Sequence, residues 1–148
     1  MIRRHGAPPR RGLRHRLRPG AYAILPRGGR VLLTFQDAPH SEWQLPGGGI
    51  DAGEQPLPAL HREVLEETGW TIAAPRRIGA FRRFVWMPDY GIRAEKLCMI
   101  YVARPVRRIG PPSEAGHTAA FMPVGTALAA LGPEGDRAAL ASWLARAR

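Results

Sequence analysis

Three glutamates, Glu63, Glu66 and Glu67, stand at a spacing that could hold a divalent cation. On an α-helix, residues three and four apart lie on the same face, so these carboxylates would come within reach of one another. Like charges at that spacing destabilise an isolated helix by roughly 0.2–0.5 kcal/mol, and a bound cation would relieve the repulsion. Carboxylate oxygens suit Mg²⁺, which keeps several waters and bridges to substrate phosphates. The alternative is an acidic helix face that only meets water.

The segment that carries the glutamates has the start and stop signals of a helix. Pro56 suits the first turn, where the backbone N–H groups have no partner within the helix. Gly69 suits the position just past the C-terminus. Leu57, Leu60 and Val64 form an adjoining apolar stripe, which predicts packing against a sheet.

The glutamates belong to a longer motif between Gly48 and Trp70. This segment reads GGIDAGEQPLPALHREVLEETGW and matches the pattern GX5EX7REUXEEXGU, in which U is a bulky apolar residue. Trp70 occupies the last U, where an aliphatic residue is more usual. The fixed positions are Gly48, Glu54, Arg62, Glu63, Glu66, Glu67 and Gly69. Because this pattern is the Nudix box, the chain resembles the Nudix hydrolase family, and its MutT-like members in particular.

The resemblance implies an activity and a set of metal ligands. Nudix pyrophosphohydrolases cleave a diphosphate linkage in a nucleoside triphosphate or a nucleoside diphosphate conjugate, with Mg²⁺ as cofactor and Mn²⁺ as an alternative. The implied ligands are Glu63, Glu66, Glu67 and the backbone carbonyl of Gly47. Arg62, beside the carboxylates, is implied to orient a glutamate; an ordinary surface ion pair is the other interpretation.

Two glutamates are candidates for the base that deprotonates or orients the attacking water. Glu63 is the first, because it follows the box arginine in or beside the implied metal site. Glu114 is the second, and it is also a candidate for an additional metal ligand, since several Nudix enzymes draw such a glutamate from a late loop. His117 could interact with Glu114 or with the substrate. A solvated loop acid is the other interpretation of Glu114.

Aromatic and basic residues near a predicted hairpin are candidates for substrate binding. Phe84, Trp86 and Tyr90 could stack on a nucleobase. As an alternating pair, Phe84 and Trp86 could equally belong to the core. Cations on the same strands could hold phosphates: Arg82 first, and then Arg83 and Lys96. The other interpretation is that these are ordinary exposed cations of a strand.

The rest of the chain predicts an α/β fold in which strands flank the motif helix. This order resembles the Nudix α/β/α sandwich, with a mixed sheet and with the carboxylates on the box helix. A tight turn is predicted at residues 47–49. Strands are predicted at residues 20–25, 30–35, 43–46, 78–87, 95–103 and 121–124, the first pair and the 78–87/95–103 pair each as a hairpin. Further helices are predicted at residues 125–131 and 133–147.

Charge separates a basic arm from the domain. The chain has 148 residues and a formal net charge of +10, and residues 1–18 contain seven arginines and no acid. This composition predicts a flexible arm at residues 1–18 and a Nudix domain at residues 19–148. The arm could attract nucleic acid or polyphosphate, or it could be a solvated tail.

Composition also limits the class of protein. No apolar run is long enough for a membrane span, and no signal peptide is expected, which predicts a cytoplasmic protein without a membrane partner. Cys98, the single cysteine, is expected to be a packed core thiol.

The chain is expected to act on a small nucleotide as a monomer or homodimer. The alternative function is a nucleotide-sensing or RNA-contacting protein on the same fold, including removal of pyrophosphate from RNA 5′ ends.

Overall fold

The computed structural model describes residues 1–147, so Arg148, the last residue of the predicted domain, lies outside the described part. Two β-sheets and three α-helices make up residues 1–147. The strands are β1 (Arg3–Arg4), β2 (Arg16–Ile24), β3 (Pro26–Arg27), β4 (Arg30–Gln36), β5 (Glu42–Gln44), β6 (Gly47–Gly49), β7 (Trp70–Met87), β8 (Ile92–Arg108) and β9 (His117–Pro123). The helices are α1 (Pro56–Thr68), α2 (Val124–Ala130) and α3 (Glu134–Arg146). Within this part, no helix combines the length and the apolar character that crossing a bilayer requires.

The larger sheet is mixed, as the sequence predicts. Its strand order is β1-β7-β8-β2-β6. The β7–β8 and β2–β6 pairs are antiparallel, whereas β1–β7 and β2–β8 are parallel. In the smaller sheet, β4 pairs antiparallel with β3, β5 and β9. The α/β fold class is therefore confirmed.

The first predicted hairpin is wrong in one respect, because its two strands lie in different sheets. Strand β2 ends at Ile24, and β4 folds back onto β3 through Gly28 and Gly29, whose φ angles are 55° and 76°. Positive φ at both central residues is typical of a two-residue hairpin loop. Since β8 and β6 already occupy both edges of β2, β4 cannot pair with it.

Side chains on the two faces of the larger sheet meet different helices. Ala21 and Ala23 face α1, where they pack with Leu60 and Val64. Ile24 points to the other face and belongs to the cluster that includes residues of α2 and α3. This alternation follows from the two-residue period of a strand and produces the α/β/α layering.

Helix α1 follows the prediction at both ends but not along its whole apolar stripe. Pro56 is its first residue, and Gly69 caps it with a φ of 77° while donating its N–H to the Leu65 carbonyl at 2.8 Å. Leu60 and Val64 are fully buried. Leu57 is exposed, contrary to the expectation, because it lies in the first turn, outside the contact with the sheet.

The predicted tight turn at residues 47–49 is also wrong, since these glycines form β6 at the edge of the larger sheet. Gly47 does have a left-handed φ of 145°. A Cβ at Gly47 would collide with the backbone of β2, so the close approach of the two strands requires glycine there.

The long hairpin extends beyond its predicted ends. Strands β7 and β8 contain 18 and 17 residues, and register shifts interrupt the β7 side between Thr71 and Gly79. Such bulges break the strict alternation of side chains, which explains why the sequence pattern was detected only from Ile78 onward. Helices α2 and α3 lie within one residue of their predicted boundaries.

The arm differs from the expectation at both of its ends. Arg3 and Arg4 pair with β7 as a short parallel strand, and the His5 N–H donates to the Arg82 carbonyl at 2.9 Å. Strand β2 begins at Arg16, before the expected boundary at residue 19. These contacts use backbone atoms, which a basic sequence does not reveal. Flexibility of the segment between the two strands stays a prediction.

Two glycines with similar backbone angles allow a test of how tightly the helix end is held. Gly69 and Gly53 have φ values of 77° and 80°. A Cβ at Gly69 would collide with the Gly110 carbonyl group, whereas a Cβ at Gly53 would meet nothing within 4 Å. Gly53→Ala should lose about 1–2 kcal/mol of unfolding free energy from backbone strain. Gly69→Ala should lose about 1–3 kcal/mol more, because the Ile109 N–H bond to the Gly69 carbonyl restricts the neighbouring loop.

Denaturant unfolding of both variants checks this expectation. Equal losses in the two variants would show that residues 109–110 move aside, and would contradict a rigid contact at the end of α1.

Candidate active site on helix α1

Arg62 organises the acidic groups of α1 and of the preceding loop. Its guanidinium donates twice to Glu54, with both distances 2.8 Å, and to Glu63 and Glu66 at 3.1 and 3.3 Å. These charge-assisted hydrogen bonds lower the pKa of Glu54 to about 2. Arg62 also donates to the Gly49 carbonyl at 3.3 Å, which ties the helix to β6. Arg62 thus fixes the direction of two carboxylates implied to bind metal.

Glu63 lies against the backbone of the glycine strand. Its carboxylate is 13% exposed, and burial raises its pKa to about 7. A Cβ at Gly48 would stand 2.5 Å from the Glu63 Cδ atom. Any larger residue at position 48 would therefore displace this carboxylate, which gives a physical reason for glycine at the start of the motif.

Glu67 is buried deeper, at the free edge of β6. It accepts the Gly47 N–H at 2.9 Å, and burial raises its pKa well above the usual value. The adjacent ladder bond runs from the Ala23 N–H to the Pro46 carbonyl at 2.9 Å, so Gly47 occupies a non-hydrogen-bonded position of the antiparallel pair. The Gly47 carbonyl therefore points away from β2, to the same side as Glu67.

Glu114 reaches the carboxylates because its loop is bound to the end of α1. The backbone N–H groups of Ser113 and Glu114 both donate to the Glu66 carbonyl, at 2.8 and 3.0 Å. At the end of a helix such carbonyls have no partner within the helix, so the loop satisfies one of them. The Glu114 carboxylate, 44% exposed, then lies above the glutamates of the helix.

His117 lies between Glu67 and Glu114. Its Nε2 atom is 3.8 Å from a carboxylate oxygen of each. Its Nδ1 atom is 2.9 Å from the Thr34 hydroxyl, which donates to the Glu67 carbonyl at 3.5 Å. Nδ1 and the Thr34 hydroxyl thus share a hydrogen bond whose direction depends on the ring tautomer, and Nε2 faces the acids. The sequence indicated a contact of His117 with Glu114, but not its position beside Glu67.

Two groups of side chains could each hold a cation, and Glu114 belongs to both. Within each group the ligand atoms lie within 4.8 Å of one another. The burial of Glu63 and Glu67 disfavours their charged forms, and a divalent cation would restore them, so these residues fit a hard metal ion. The groups are Glu63, Glu66, Glu114 and Glu67, Glu114, His117.

A cleft of about 280 Å³ opens beside these carboxylates. Trp86 and Tyr90, two of the expected substrate-binding residues, line it and are exposed. Phe84 and Arg82 do not line it: the Phe84 ring packs edge-on against His15 with centroids 5.2 Å apart, and Arg82 pairs with Glu95 at 3.2 Å. The structure thus brings two of the four expected residues to the cleft.

The floor of the cleft contains buried polar residues without a sequence motif. Asp136, at the start of α3, accepts the Leu45 N–H at 3.0 Å, and burial raises its pKa to about 6. Burial lowers the pKa of Lys96 and raises that of Tyr22. Sequence reasoning missed Asp136 because an acid in the first turn of a helix is ordinary.

Comparison with known proteins agrees with this geometry. A family model described as the NUDIX domain matches residues 14–143. The chain belongs to the Nudix family. The motif between Gly48 and Trp70 is therefore its Nudix box, and the glutamates of α1 are the box glutamates.

Curated relatives match mainly through a shorter segment. A putative 8-oxo-dGTP diphosphatase of Bacillus subtilis (strain 168) is 38% identical over 64 residues, which cover 43% of this chain and 43% of the relative. An RNA pyrophosphohydrolase of Helicobacter pylori (strain ATCC 700392 / 26695) is 44% identical over 62 residues, covering 38% of this chain and 40% of the relative. The chain therefore spans about two fifths of the length of these relatives.

Solved structures match over most of the chain. A MutT protein from Bacillus halodurans has a TM-score of 0.67 at 24% identity, covering 83% of this chain and 79% of that one. A MutT NUDIX hydrolase from Burkholderia pseudomallei has a TM-score of 0.66 at 22% identity, covering 85% and 97%. At this identity the likeness establishes the Nudix fold.

The raised pKa of Asp136 predicts a pH dependence of stability. Its contribution is fully present below pH 4, near the unfolded pKa of 3.8, and is lost as the pH rises through about 6. Asp136→Asn keeps an acceptor for the Leu45 N–H but cannot ionise. We expect its unfolding free energy, relative to wild type, to increase by roughly 2 kcal/mol between pH 4 and 6.

Urea unfolding of both proteins at half-unit pH steps measures this difference. A difference that stays constant across the range would contradict a buried, ionising carboxyl at residue 136.

Proposed function

We propose that this chain is a Mg²⁺-dependent Nudix pyrophosphohydrolase that cleaves a diphosphate linkage of a nucleoside triphosphate or nucleoside diphosphate conjugate. One observation carries the proposal: the box glutamates are joined by Glu114 into two overlapping ligand groups at the edge of a cleft. A protein that only sensed nucleotides would not need this complete set. The carboxylates and the cleft together support hydrolysis at a phosphate.

The metal ligands in this proposal are the box glutamates and one backbone atom. Glu63, Glu66 and Glu67 offer carboxylate oxygens, and the Gly47 carbonyl lies on the same edge of the sheet as Glu67. When bound, Mg²⁺ neutralises phosphate charge and makes a coordinated water more acidic. Mn²⁺ is the alternative ion, since it prefers similar oxygen ligands.

The attacking water needs a carboxylate within hydrogen-bond reach to accept its proton. Glu63 is our first candidate, because it lines the cleft and Arg62 holds its Oε1 atom at 3.1 Å. Glu114 is the second candidate, because its exposed carboxylate also lines the cleft. Arg62 acts in this scheme as the residue that positions Glu63.

Trp86 and Tyr90 are the residues we propose for contact with the nucleoside. Their rings are exposed at the rim of the cleft, and base–aromatic stacking stabilises binding by about 1–3 kcal/mol per base. The names of the relatives, an 8-oxo-dGTP diphosphatase and an RNA pyrophosphohydrolase, support nucleotides with a 5′ diphosphate linkage as substrates. We also propose a cytoplasmic location, where a reducing environment would keep the buried Cys98 thiol free.

Removal of pyrophosphate from RNA 5′ ends is the second candidate activity. The excess of arginine in residues 1–18 favours it, together with the RNA pyrophosphohydrolase relatives. A panel of nucleoside triphosphates, oxidised triphosphates, diphosphate conjugates and short 5′-triphosphorylated RNAs, assayed with Mg²⁺, distinguishes the two. Absence of hydrolysis across the whole panel would contradict an enzyme and favour the nucleotide-sensing alternative.

Glu67→Gln should abolish turnover while leaving the fold intact. Glutamine keeps an acceptor for the Gly47 N–H but removes the charge that a divalent ion requires. Loss of one ligand of a water-activating metal should lower kcat about a thousandfold or more. Glu95→Gln is the control, because Glu95 pairs with Arg82 outside the cleft, and it should keep wild-type kcat. A Glu67→Gln enzyme with near wild-type kcat at saturating Mg²⁺ would remove Glu67 from the metal site.

Glu63→Gln and Glu114→Gln test the identity of the base. We expect the loss of kcat to be larger in Glu63→Gln, by about tenfold or more, since base catalysis contributes on the order of 10²–10⁴-fold. The measurement is kcat of each variant at saturating substrate and Mg²⁺. A larger loss in Glu114→Gln would reverse our ranking.

A further inference from the structure

Three basic residues form one row across the floor of the cleft. In the antiparallel pair of β7 and β8, Arg83 stands opposite Lys96. In the parallel pair of β8 and β2, Lys96 stands opposite Arg18. Residues in register on neighbouring strands point to the same face of a sheet, and all three side chains line the cleft.

This row places like charges directly opposite one another, which destabilises a sheet. Within residues 1–147, none of the three cations has a carboxylate within 4 Å or a side-chain hydrogen bond. Burial lowers the pKa of Lys96, while Asp136 and Glu67 attract it only from a longer range. The Arg18 Cζ atom lies 4.8 Å from the centre of the Tyr90 ring.

The opposite face of the same strands shows the contrast. Arg82 is the neighbour of Arg83 in sequence, but it points away from the cleft and forms an ion pair with Glu95 at 3.2 Å. Arg82 is thus neutralised within the protein, whereas the cleft row is not. Unpaired, partly buried cations gathered in one cleft indicate that an anionic ligand binds there and neutralises their charge.

The row lies some distance from the groups that would hold the scissile diphosphate. Arg18 precedes Gly20, the partner of Gly49, by two residues, and precedes Tyr22, the partner of Gly47, by four. At about 3.3 Å per residue, the Arg18 backbone lies roughly 7 Å along β2 from the position opposite Gly49 and roughly 13 Å from that opposite Gly47. Its Nη2 atom nevertheless comes within 4.0 Å of where a Cβ at Gly49 would stand. Lys96 and Arg83 stand one and two strands farther from β6 than Arg18 does, about 5 and 10 Å at the usual strand spacing. At that distance they would meet an anionic group other than the diphosphate beside Glu67.

We propose that Arg18, Lys96 and Arg83 bind a further phosphate of the substrate, beyond the diphosphate that is cleaved. This inference rests on the proposed function and narrows its substrate class to nucleotides that carry such a phosphate. Two sources have the same chemistry: a longer 5′-polyphosphate, or a phosphodiester on the 3′ side of the nucleoside. Arginine matches two phosphate oxygens with its planar fork, and Lys96 adds a point charge.

The test measures binding without turnover. The probes are a nucleoside triphosphate, a nucleoside tetraphosphate and a 5′-triphosphorylated dinucleotide, each with methylene groups in place of the oxygens that join its phosphates. Calorimetry in Mg²⁺ gives Kd for wild type, Lys96→Gln and Arg83→Gln. Arg77→Gln is the matched control, since Arg77 is an exposed arginine of the same strand β7 and does not line the cleft.

We expect wild type to bind one of the two longer probes at least about tenfold more tightly than the triphosphate. Lys96→Gln and Arg83→Gln should each lose about tenfold on that probe, and less than about twofold on the triphosphate. Arg77→Gln should behave as wild type on all three. The probe that shows the loss identifies the source of the phosphate. Because Arg83 stands on a different strand, β7, its variant keeps the test valid if Lys96→Gln fails to fold.

Two outcomes would overturn the proposal. Equal losses of affinity by the Lys96 and Arg83 variants on all three probes would show that the row binds the phosphates that the probes share. Unchanged Kd values in both variants would show that the row contacts only water. The probes resist hydrolysis, so this result is independent of the assays for activity. Failure to hydrolyse any natural nucleotide would contradict the proposed function. The Kd values of the three probes would still show whether the row binds a further phosphate.

Discussion

The contact between helix α1 and the glycine strand β6 is the constraint on which the rest of the site depends. Glu67 accepts the Gly47 N–H, and Glu63 fills the space that a side chain at residue 48 would occupy. Both carboxylates are thereby removed from water, which disfavours their charged forms. Arg62 offsets part of this cost through its bonds to Glu63 and to the Gly49 carbonyl. The negative charge that remains uncompensated is the property that favours a divalent cation.

Much of the site could be predicted because its parts are close in sequence. Helix spacing alone placed Glu63, Glu66 and Glu67 together, and Gly69 marked the end of the helix. Strand β6 was not predicted because three glycines give no alternation of apolar and polar side chains. Strand β1 was not predicted because its pairing uses backbone groups that every residue has.

The cleft floor was harder to predict, because register is not a local property. Arg18 and Arg83 are 65 positions apart, and both stand in line with Lys96 only through the pairing of β2, β8 and β7. Propensity and periodicity identify each strand, but they do not say which residues face each other across parallel strands. Asp136 joins these residues from α3, which packs on the same face of the sheet.

The parallel pairing of β2 with β8 has a consequence for how the chain folds. Arg16 lies opposite Ala94, 78 positions later in the chain, so the centre of the larger sheet closes only after the intervening residues have been synthesised. Strand β6 and the box helix lie between these partners and pack on β2, whose other edge is open until β8 arrives. Non-local pairs of this kind slow folding, because the entropy of loop closure is lost before the contacts form. A nascent chain that has emerged only as far as the box helix therefore exposes an unpaired strand edge, which is the surface that chaperones protect and that aggregation uses.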